Sequence, residues 1–549
     1  MLAQWLKAGR PWVWLSGGAV SISLISVLGL LLLIGWKGLA YFWPAKVYQW
    51  VDVKGNVILG QVYQRDSVPI DHVVNAKQRL PEDIYQKGTV ERLNIKIANR
   101  ELYPLDFINV FSSDLQKEET PEDILVLERN RNGNFIGKPV AYLSQNQRYI
   151  ENIESHLESG IEFTNSMRAE IEDVKSDEVQ QLSWQLSQLK LKRKKAELND
   201  EITESYLSSY NQRKNELVAQ LNQAELKLEL LKSRLDQEVL IVEEMGGEQV
   251  RIPMNTVLNA WFPNQMGVLE KVGHWFTQVK EFLSDNPREA NSEGGIFPAI
   301  FGTVFLVILM SIIVMPLGVI AAIYLHEYEK ESALTRVIRV AVINLAGVPS
   351  IVYGVFGLGF FVYTIGSSLD TFLFSDKLPE PTFGTPGILW SALTLALLTL
   401  PVVIVATEEG LSRVPNSVRH GALALGATQF ETIWRIVLPM ASPAIITGLI
   451  LAIARAAGEV APLMLVGVVK LAPTLPVDGN FPYVHLERKF MHLGYHIYDV
   501  GFQSPNIEAA RPLVYATSFL LVTVIVGLNL TAINIRNNLR EKYRTLGQD

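Results

Sequence analysis

Residues 419–467 read RHGALALGATQFETIWRIVLPMASPAIITGLILAIARAAGEVAPLMLVG, and the fold turns on how this stretch is read. Its first half is too polar to cross a bilayer. Gly426 and Leu438-Pro439 punctuate it, which predicts two short helices broken at the glycine and stopped at the proline. From about Ser442 the pattern becomes an apolar helix with two charges inside it, Arg455 and Glu459. A charge at mid-bilayer costs roughly 2.5–3.5 kcal/mol on insertion scales. Residues four apart share a helix face, so the two side chains are expected to meet. One reading is mutual neutralisation that only fixes the rotation of the helix. The other is a functional pair: an isolated buried ion pair is a poor stabiliser, so function is the better default inside a membrane. A guanidinium offers a planar fork suited to an oxyanion, and Glu459 would orient and partly neutralise it when no anion is present.

Five other apolar runs are long enough to span a bilayer, which takes about 20 residues. They are Gly17–Phe42, Phe297–Tyr324, Val340–Ile365, Gly387–Ala406 and Pro512–Ile535, and with Pro443–Val468 they make six. The first exceeds the ~7–15 apolar residues of a secretory signal and ends in Tyr41-Phe42-Trp43-Pro44, an aromatic interface belt. It reads as an uncleaved span. Lys330, Arg336 and Arg339, then Arg413, Arg419 and Arg435, then Arg536, Arg540, Lys542 and Arg544 lie on one side. The loop 366–386 on the other side holds only Lys377 against Asp370, Asp376 and Glu380. This charge bias places both termini and the loop 407–442 in the cytoplasm. Gly347-Val348-Pro349-Ser350, with Gly354, Gly357 and Gly359, falls in the third span and serves either helix packing or a pathway. Asn344 and Ser350 are candidate hydrogen-bonding groups for an anion there.

Between the first and second spans the composition changes. Val47–Val53, Val57–Tyr63, Leu93–Ile97, Phe107–Phe111 and Ile124–Leu127 are short, rich in β-branched residues and separated by turns such as Lys54-Gly55-Asn56 and Asn132-Gly133-Asn134. They predict a mostly-β domain. Residues 161–245 hold no glycine before Gly246 and no proline, and Leu217, Leu221, Ala224, Leu228, Leu231 and Leu235 form a heptad seam. Leu182, Leu186 and Leu189 begin a second seam, so an antiparallel coiled-coil hairpin is expected, turning between Asn199 and Asn211. The basic run Lys190–Lys195 reads as a solvated face of that hairpin. Strand-like Val239–Glu244 and Val250–Pro253 follow, so the hairpin reads as an insertion into the β domain. Gly267–Leu283 is an amphipathic helix whose apolar face either packs on the domain or lies in a membrane interface. The expected organisation is 1–43, cytoplasmic N-terminus and first span; 44–295, extracytoplasmic β domain with the coiled-coil insertion at about 150–245; 296–535, five spans; and 536–549, a cytoplasmic tail.

Several chemistries are excluded. The 549-residue chain has no cysteine, hence no disulfide or thiolate site, and its net charge of −7 argues against nucleic acid. Gly137-Lys138 is followed by Pro139 and lacks the rest of a P-loop, and His326-Glu327 is not followed by a zincin histidine. No nucleophile constellation is present.

Gly426, nine further residues and Ile436-Val437-Leu438-Pro439 resemble the coupling ("EAA") loop of ABC-importer permeases, with His420-Gly421-Ala422 where Glu-Ala-Ala is usual. Ala454–Leu463, Leu345–Gly357 and Thr399-Leu400-Pro401 through Glu409 are similar to blocks of the PstA family, the permeases of phosphate ABC importers. The likeness runs from about Ile296 to the C-terminus. It implies a polytopic α-helical permease with six membrane helices, located in a bacterial inner membrane. It also implies an oxyanion path through Arg455 and Glu459, and a docking elbow for an ATPase on another chain. The elbow's candidate residues are Ala422, Leu425, Gly426, Ala427, Phe430, Ile433, Leu438 and Pro439. Expected partners are a PstC-type sister permease, a PstB-type ATPase carrying ATP and Mg, a PstS-type phosphate-binding protein and membrane lipid, with PhoU-type signalling proteins as a further candidate. No cofactor is expected in this chain. Permeation of another oxyanion or small solute, and a scaffold or sensor role in phosphate signalling, are the alternatives.

Overall fold

The computed structural model describes residues 10–53, 55–72, 82–103, 105–144, 147–288, 291, 293–328, 332–504 and 507–544; Lys54 and Lys330 of the sequence reading lie outside them. The chain divides into two compact units. One comprises 42–283 with 293–295, and the other 1–41, 284–292 and 296–549.

The first unit is built on two antiparallel sheets. β1 (Val47–Asp52), β2 (Val57–Pro69), β3 (Thr89–Lys96), β4 (Phe107–Phe111) and β5 (Leu115–Glu119) form a sheet in the order β4-β3-β2-β1-β5. Trp50, Leu93, Ile95 and Ile97 pack one core on it. The second sheet contains β6 (Leu125–Arg129), β7 (Phe135–Ser144), β8 (Gln147–Tyr149), β9 (Glu238–Glu243), β10 (Gln249–Pro253) and β11 (Val257–Trp261). Its order is β10-β9-β7-β6-β11, with β8 also on β7. Asn132 and Gly133, both at positive φ, close the β6–β7 hairpin. Buried Asn99 ties its loop to β7: its side-chain oxygen accepts from Ile136 N–H at 2.8 Å and its amide donates to Ile136 C=O at 2.9 Å.

A helical hairpin leaves this second sheet after β8 and returns in β9, which pairs with β7. Its ascending arm is Ile153–Asp173, a π-wound turn Val174–Gln180 and Gln181–Leu198. The descending arm is Glu204–Leu235, capped by Thr203. The chain reverses at 199–203, inside the expected window. Met167 and Val174 pack on Leu231 and Leu235, and Lys227 pairs with Glu178 at 2.8 Å.

The second unit contains, among the described residues, six helices long and apolar enough to cross a membrane. They are Trp12–Ala40, Phe297–Tyr328, Ser350–Leu373, Ile388–Ser412, Gln429–Gly458 and Ala510–Glu541. The fourth is central. Leu395, Leu398 and Val403 share a core with Leu306, Met310 and Val314 of the second span and with Ala452 and Ala456 of the fifth. Small residues let these backbones approach: Gly318 seats Val403, Gly410 faces Ala444 and Gly448 faces Ala406. Buried Thr303, Thr394, Thr399 and Thr407 donate to carbonyls four residues back, so these four hydroxyls are satisfied in the apolar interior. The N–H groups that begin the fourth helix are met by the segment after the fifth span. Gly387 donates to Val466, Ile388 to Arg488 and Leu389 to Leu486, at 2.9, 2.9 and 3.0 Å.

Three expectations are corrected. The third span is not Val340–Ile365. Ala333–Leu345 is a separate amphipathic helix, and the span starts at Ser350 after a break at 346–349. Pro349 cannot donate to a continuing helix, and it disfavours helical geometry in Val348 before it. The elbow does not stop at Pro439. Gln429–Gly458 is one helix, because Ile433–Val437 is wound in π register and this wider turn accommodates the proline. The fifth span does not reach Val468. It ends at Gly458, with Glu459 extended at φ −81°, ψ 130°. Pro462 lacks the donor that would have continued it, and Ala461 before it is steered from helical geometry.

The first span touches the rest of the unit along the last, where Gly38 is the closest point: a Cβ there would sit 2.8 Å from the Ala516 backbone. Gly38→Leu is therefore expected to cost about 1–3 kcal/mol by overpacking and to lower the unfolding temperature in detergent. Gly29→Leu, with nothing within 4 Å, should leave it unchanged.

His492 and His496 are buried between the fifth and sixth spans, and burial pushes both down to about 4. The unfolded chain takes up these protons near 6.5 and the folded chain only near 4. Their contribution to stability is thus complete above about 6.5 and is lost as pH falls toward 4, by at most about 1.4 kcal/mol per group per pH unit. Thermal unfolding followed against pH should show this acid loss. His492→Asn, which can still accept from Gly494 N–H as His492 Nδ1 does at 3.1 Å, should flatten part of it.

Candidate functional site

Arg455 occupies the last turn of the fifth-span helix, and Glu459 is the first residue beyond it. They do not share a helical face, yet they meet: Arg455 Nε lies 3.8 Å from a Glu459 carboxylate oxygen, with both side chains partly accessible. A cation in the last turn is favoured by the exposed carbonyls of the helix end, whereas a carboxylate there is not. Arg455 is thus the group that holds Glu459 at this position. The helix end is covered by protein. Pro462 rests on Gly354, where a Cβ would fall 2.7 Å from Pro462 Cα, and Gly357 lies against Thr394 and Val466. Gly354 and Gly357 are therefore packing seats for the broken segment.

Sequence reasoning missed Tyr353. It is buried beside Ala452, Ala456 and Leu463, donates its hydroxyl to Leu345 C=O at 2.7 Å and lies within electrostatic reach of Arg455. It connects the pair to the break before the third span. Asn344 is the penultimate residue of the amphipathic helix and is exposed, and Ser350 opens the third span. Among the described residues, no hydrogen bond or ion pair joins Asn344 or Ser350 to Arg455 or Glu459.

The elbow starts with Asn416–Ala424, turns at Gly426 (φ +92°) and resumes at Gln429. The turn needs glycine, because a left-handed φ strains any side chain. Thr428 and Glu431 form a reciprocal capping box that starts the second arm. The elbow is clamped to the second span: Arg419 pairs with Glu327 at 2.9 Å and donates to Leu411 C=O, while Gln429 donates to Glu327 C=O at 3.1 Å. Arg339 pairs with Glu408 at 3.5 Å, and Arg413 with Glu409 at 3.9 Å.

The candidate docking residues do not share one face. Ala422 and Ile433 are buried in their own chain, and Leu438 and Pro439 are partly so. Leu425 is 91 % exposed at the bend, and Phe430 is exposed and stacked on Trp434 with centroids 6.2 Å apart. Leu423 and Trp434 complete the exposed apolar tip and were not singled out from sequence. The 3.6-residue period alone does not say which stripe faces home when both are apolar.

Six apolar helices, the fourth packed between the second and fifth, with a clamped helical elbow and a charged pair at a helix break, define a polytopic membrane permease. The family described as "Binding-protein-dependent transport system inner membrane component" matches residues 314–532. The chain is 35 % identical over 282 residues to "Phosphate transport system permease protein PstA 1" of Mycobacterium tuberculosis, covering 51 % of this chain and 80 % of that one. It is 38 % identical over 251 residues to PstA of Yersinia pestis, covering 46 % of this chain and 75 % of the relative. It is 34 % identical over 241 residues to a probable PstA of Methanocaldococcus jannaschii, covering 43 % and 74 %. The chain belongs to the PstA family of phosphate transport system permease proteins. It is accordingly a permease subunit of an ABC importer and not an enzyme, and ATP hydrolysis belongs to a partner chain.

The exposure pattern separates surface residues from folding residues at the elbow, and docking by the former is testable. Leu425→Glu should leave membrane insertion and thermal stability intact but reduce co-purification with the partner ATPase. Ala422→Glu, which buries a charge, should destabilise the chain itself by several kcal/mol.

Proposed function

We propose that this chain forms half of the phosphate path of an inner-membrane importer, with both termini and the elbow in the cytoplasm and the β domain with its coiled-coil hairpin on the opposite side. The observation that carries this reading is the Arg455–Glu459 pair at the broken end of the fifth span. A partly accessible pair with imperfect geometry adds little to packing, and charges placed in a membrane unit are costly to keep for that alone. Its looseness at 3.8 Å leaves the guanidinium able to exchange a carboxylate for a phosphate oxygen. Glu459 then acts as the stand-in ligand between transport events. The names of the relatives support phosphate as the anion.

The orientation follows from the positive charge gathered on one side of the spans. An even number of spans returns the C-terminus to the side of the N-terminus, and the segment between the first two spans falls opposite. The tip formed by Leu423, Leu425, Phe430 and Trp434 is the surface offered to a PstB-type ATPase. A PstC-type permease supplies the other half of the path, and a PstS-type protein delivers phosphate. ATP and Mg belong to the ATPase.

Phosphate uptake by Arg455→Lys tests the assignment. The substitution keeps the charge and removes the fork, so uptake should fall at least about tenfold, the equivalent of one good charge-assisted contact, with normal insertion and assembly. Full uptake removes Arg455 from the path. Normal phosphate binding to the partner binding protein but uptake of a different oxyanion would replace the substrate while keeping the path.

A further inference from the structure

The helix Val268–Ser284 is mounted with its polar flank inward. Gln278 donates to Glu128 at 3.3 Å, Glu281 accepts from Asn259 at 3.2 Å, and the His274 ring lies 4.6 Å from that of Trp261. A helix that belongs to a water-facing domain normally buries its apolar stripe and shows its polar one. Here Val268, Leu269, Val272, Phe276 and Leu283 are exposed; Leu269 is 87 % and Phe276 62 % accessible. At about 100° per residue these side chains fall on one arc, with Lys271 and Lys280 on its two flanks.

The position of the helix along the chain says what covers that arc. Near its C-terminal end, Phe282 packs on Phe42 with ring centroids 5.0 Å apart. Phe42 is only two residues beyond Ala40, the last residue of the first-span helix, so at most about 7 Å of chain separates them. Its neighbours Tyr41 and Trp43 are exposed, as an interfacial aromatic belt requires. The next span begins at Phe297, soon after the helix ends at Ser284. One end of the helix is thus tethered, through Phe42, within two residues of the end of the first-span helix, and the chain enters the next span shortly after.

We propose that Val268–Ser284 lies along the membrane surface, with its apolar arc in the headgroup–acyl boundary and Lys271 and Lys280 reaching to lipid phosphates. Such a helix inserts about 5–10 Å and binds through apolar area plus attraction to anionic lipid. Lysine stems flanking the arc extend that contact while their ammonium groups stay hydrated. The helix would then anchor the β domain to the bilayer. This rests on the six apolar helices spanning the membrane.

The absence of cysteine makes the test direct. Val272→Cys, Phe276→Cys, Thr277→Cys and Ile25→Cys in the full chain are labelled with an environment-sensitive fluorophore. They are reconstituted in discs of phosphatidylethanolamine and phosphatidylglycerol carrying nitroxide lipids, labelled either near the headgroup or deep in the acyl chain. Labels at 272 and 276 should be blue-shifted and quenched most by the shallow nitroxide. The label at 277, on the water-facing side, should be quenched by neither, and that at 25, in the first span, mainly by the deep one. Water-like emission at 276, or a blue shift without lipid quenching, overturns the proposal; the second result assigns the arc to a protein partner. Failure of lipid to quench at 25 overturns the spanning reading and the proposal with it.

Discussion

A helix that stops inside a membrane unit leaves carbonyl groups that lipid cannot satisfy, so the break survives only where protein covers it. The fifth span stops at Gly458, and much of the unit is arranged around that break. Pro462 and Val466 seat on glycines of the third span, and Val466 and residues 486–488 cap the fourth. Tyr353 fills the space between the break and the start of the third span. Arg455 stands in the last turn of the helix, where a cation is favoured, and Glu459 can remain there because Arg455 is beside it. At 3.8 Å the two charges stand wider apart than a good charge-assisted contact.

The same helix carries the second arm of the elbow. Gln429–Gly458 begins in the elbow and ends at the charged pair, without interruption. The π-wound turn before Pro439 keeps the two joined where an ordinary proline stop would have uncoupled them. The Arg419–Glu327 clamp fastens the elbow to the second span. The exposed Leu425–Trp434 tip is therefore joined to Arg455 by one helix, braced against another at its base. This is a mechanical continuity of packed elements, and coupling along it requires two discrete arrangements of the helix.

Much of this was legible in the sequence, for local reasons. Hydropathy runs located six spans, Gly426 marked the bend, and the heptad leucines marked the hairpin, whose turn the sequence confined only to 199–211. What was misread shows where local signals fail. Residues 340–365 form an apolar run, so hydropathy hid the break at Pro349, and the helix before it was absorbed into the span. Pro439 was read as a stop because the pattern does not reveal a π turn. Tyr353 and Glu327 were missed because each works through a partner distant in sequence. Sheet neighbours such as β7 and β9, almost 100 residues apart, leave no trace in alternation alone.

The claim on which the rest depends is that Arg455 faces a water-filled path through which an anion passes. In this cysteine-free chain, Arg455→Cys assembled with its partners and treated with a membrane-impermeant anionic thiol reagent measures that directly. The expected result is modification at an appreciable rate, slowed when phosphate and ATP drive turnover. A thiol that stays inert to the impermeant reagent yet reacts with a lipid-soluble maleimide would place this side chain against acyl tails and contradict it.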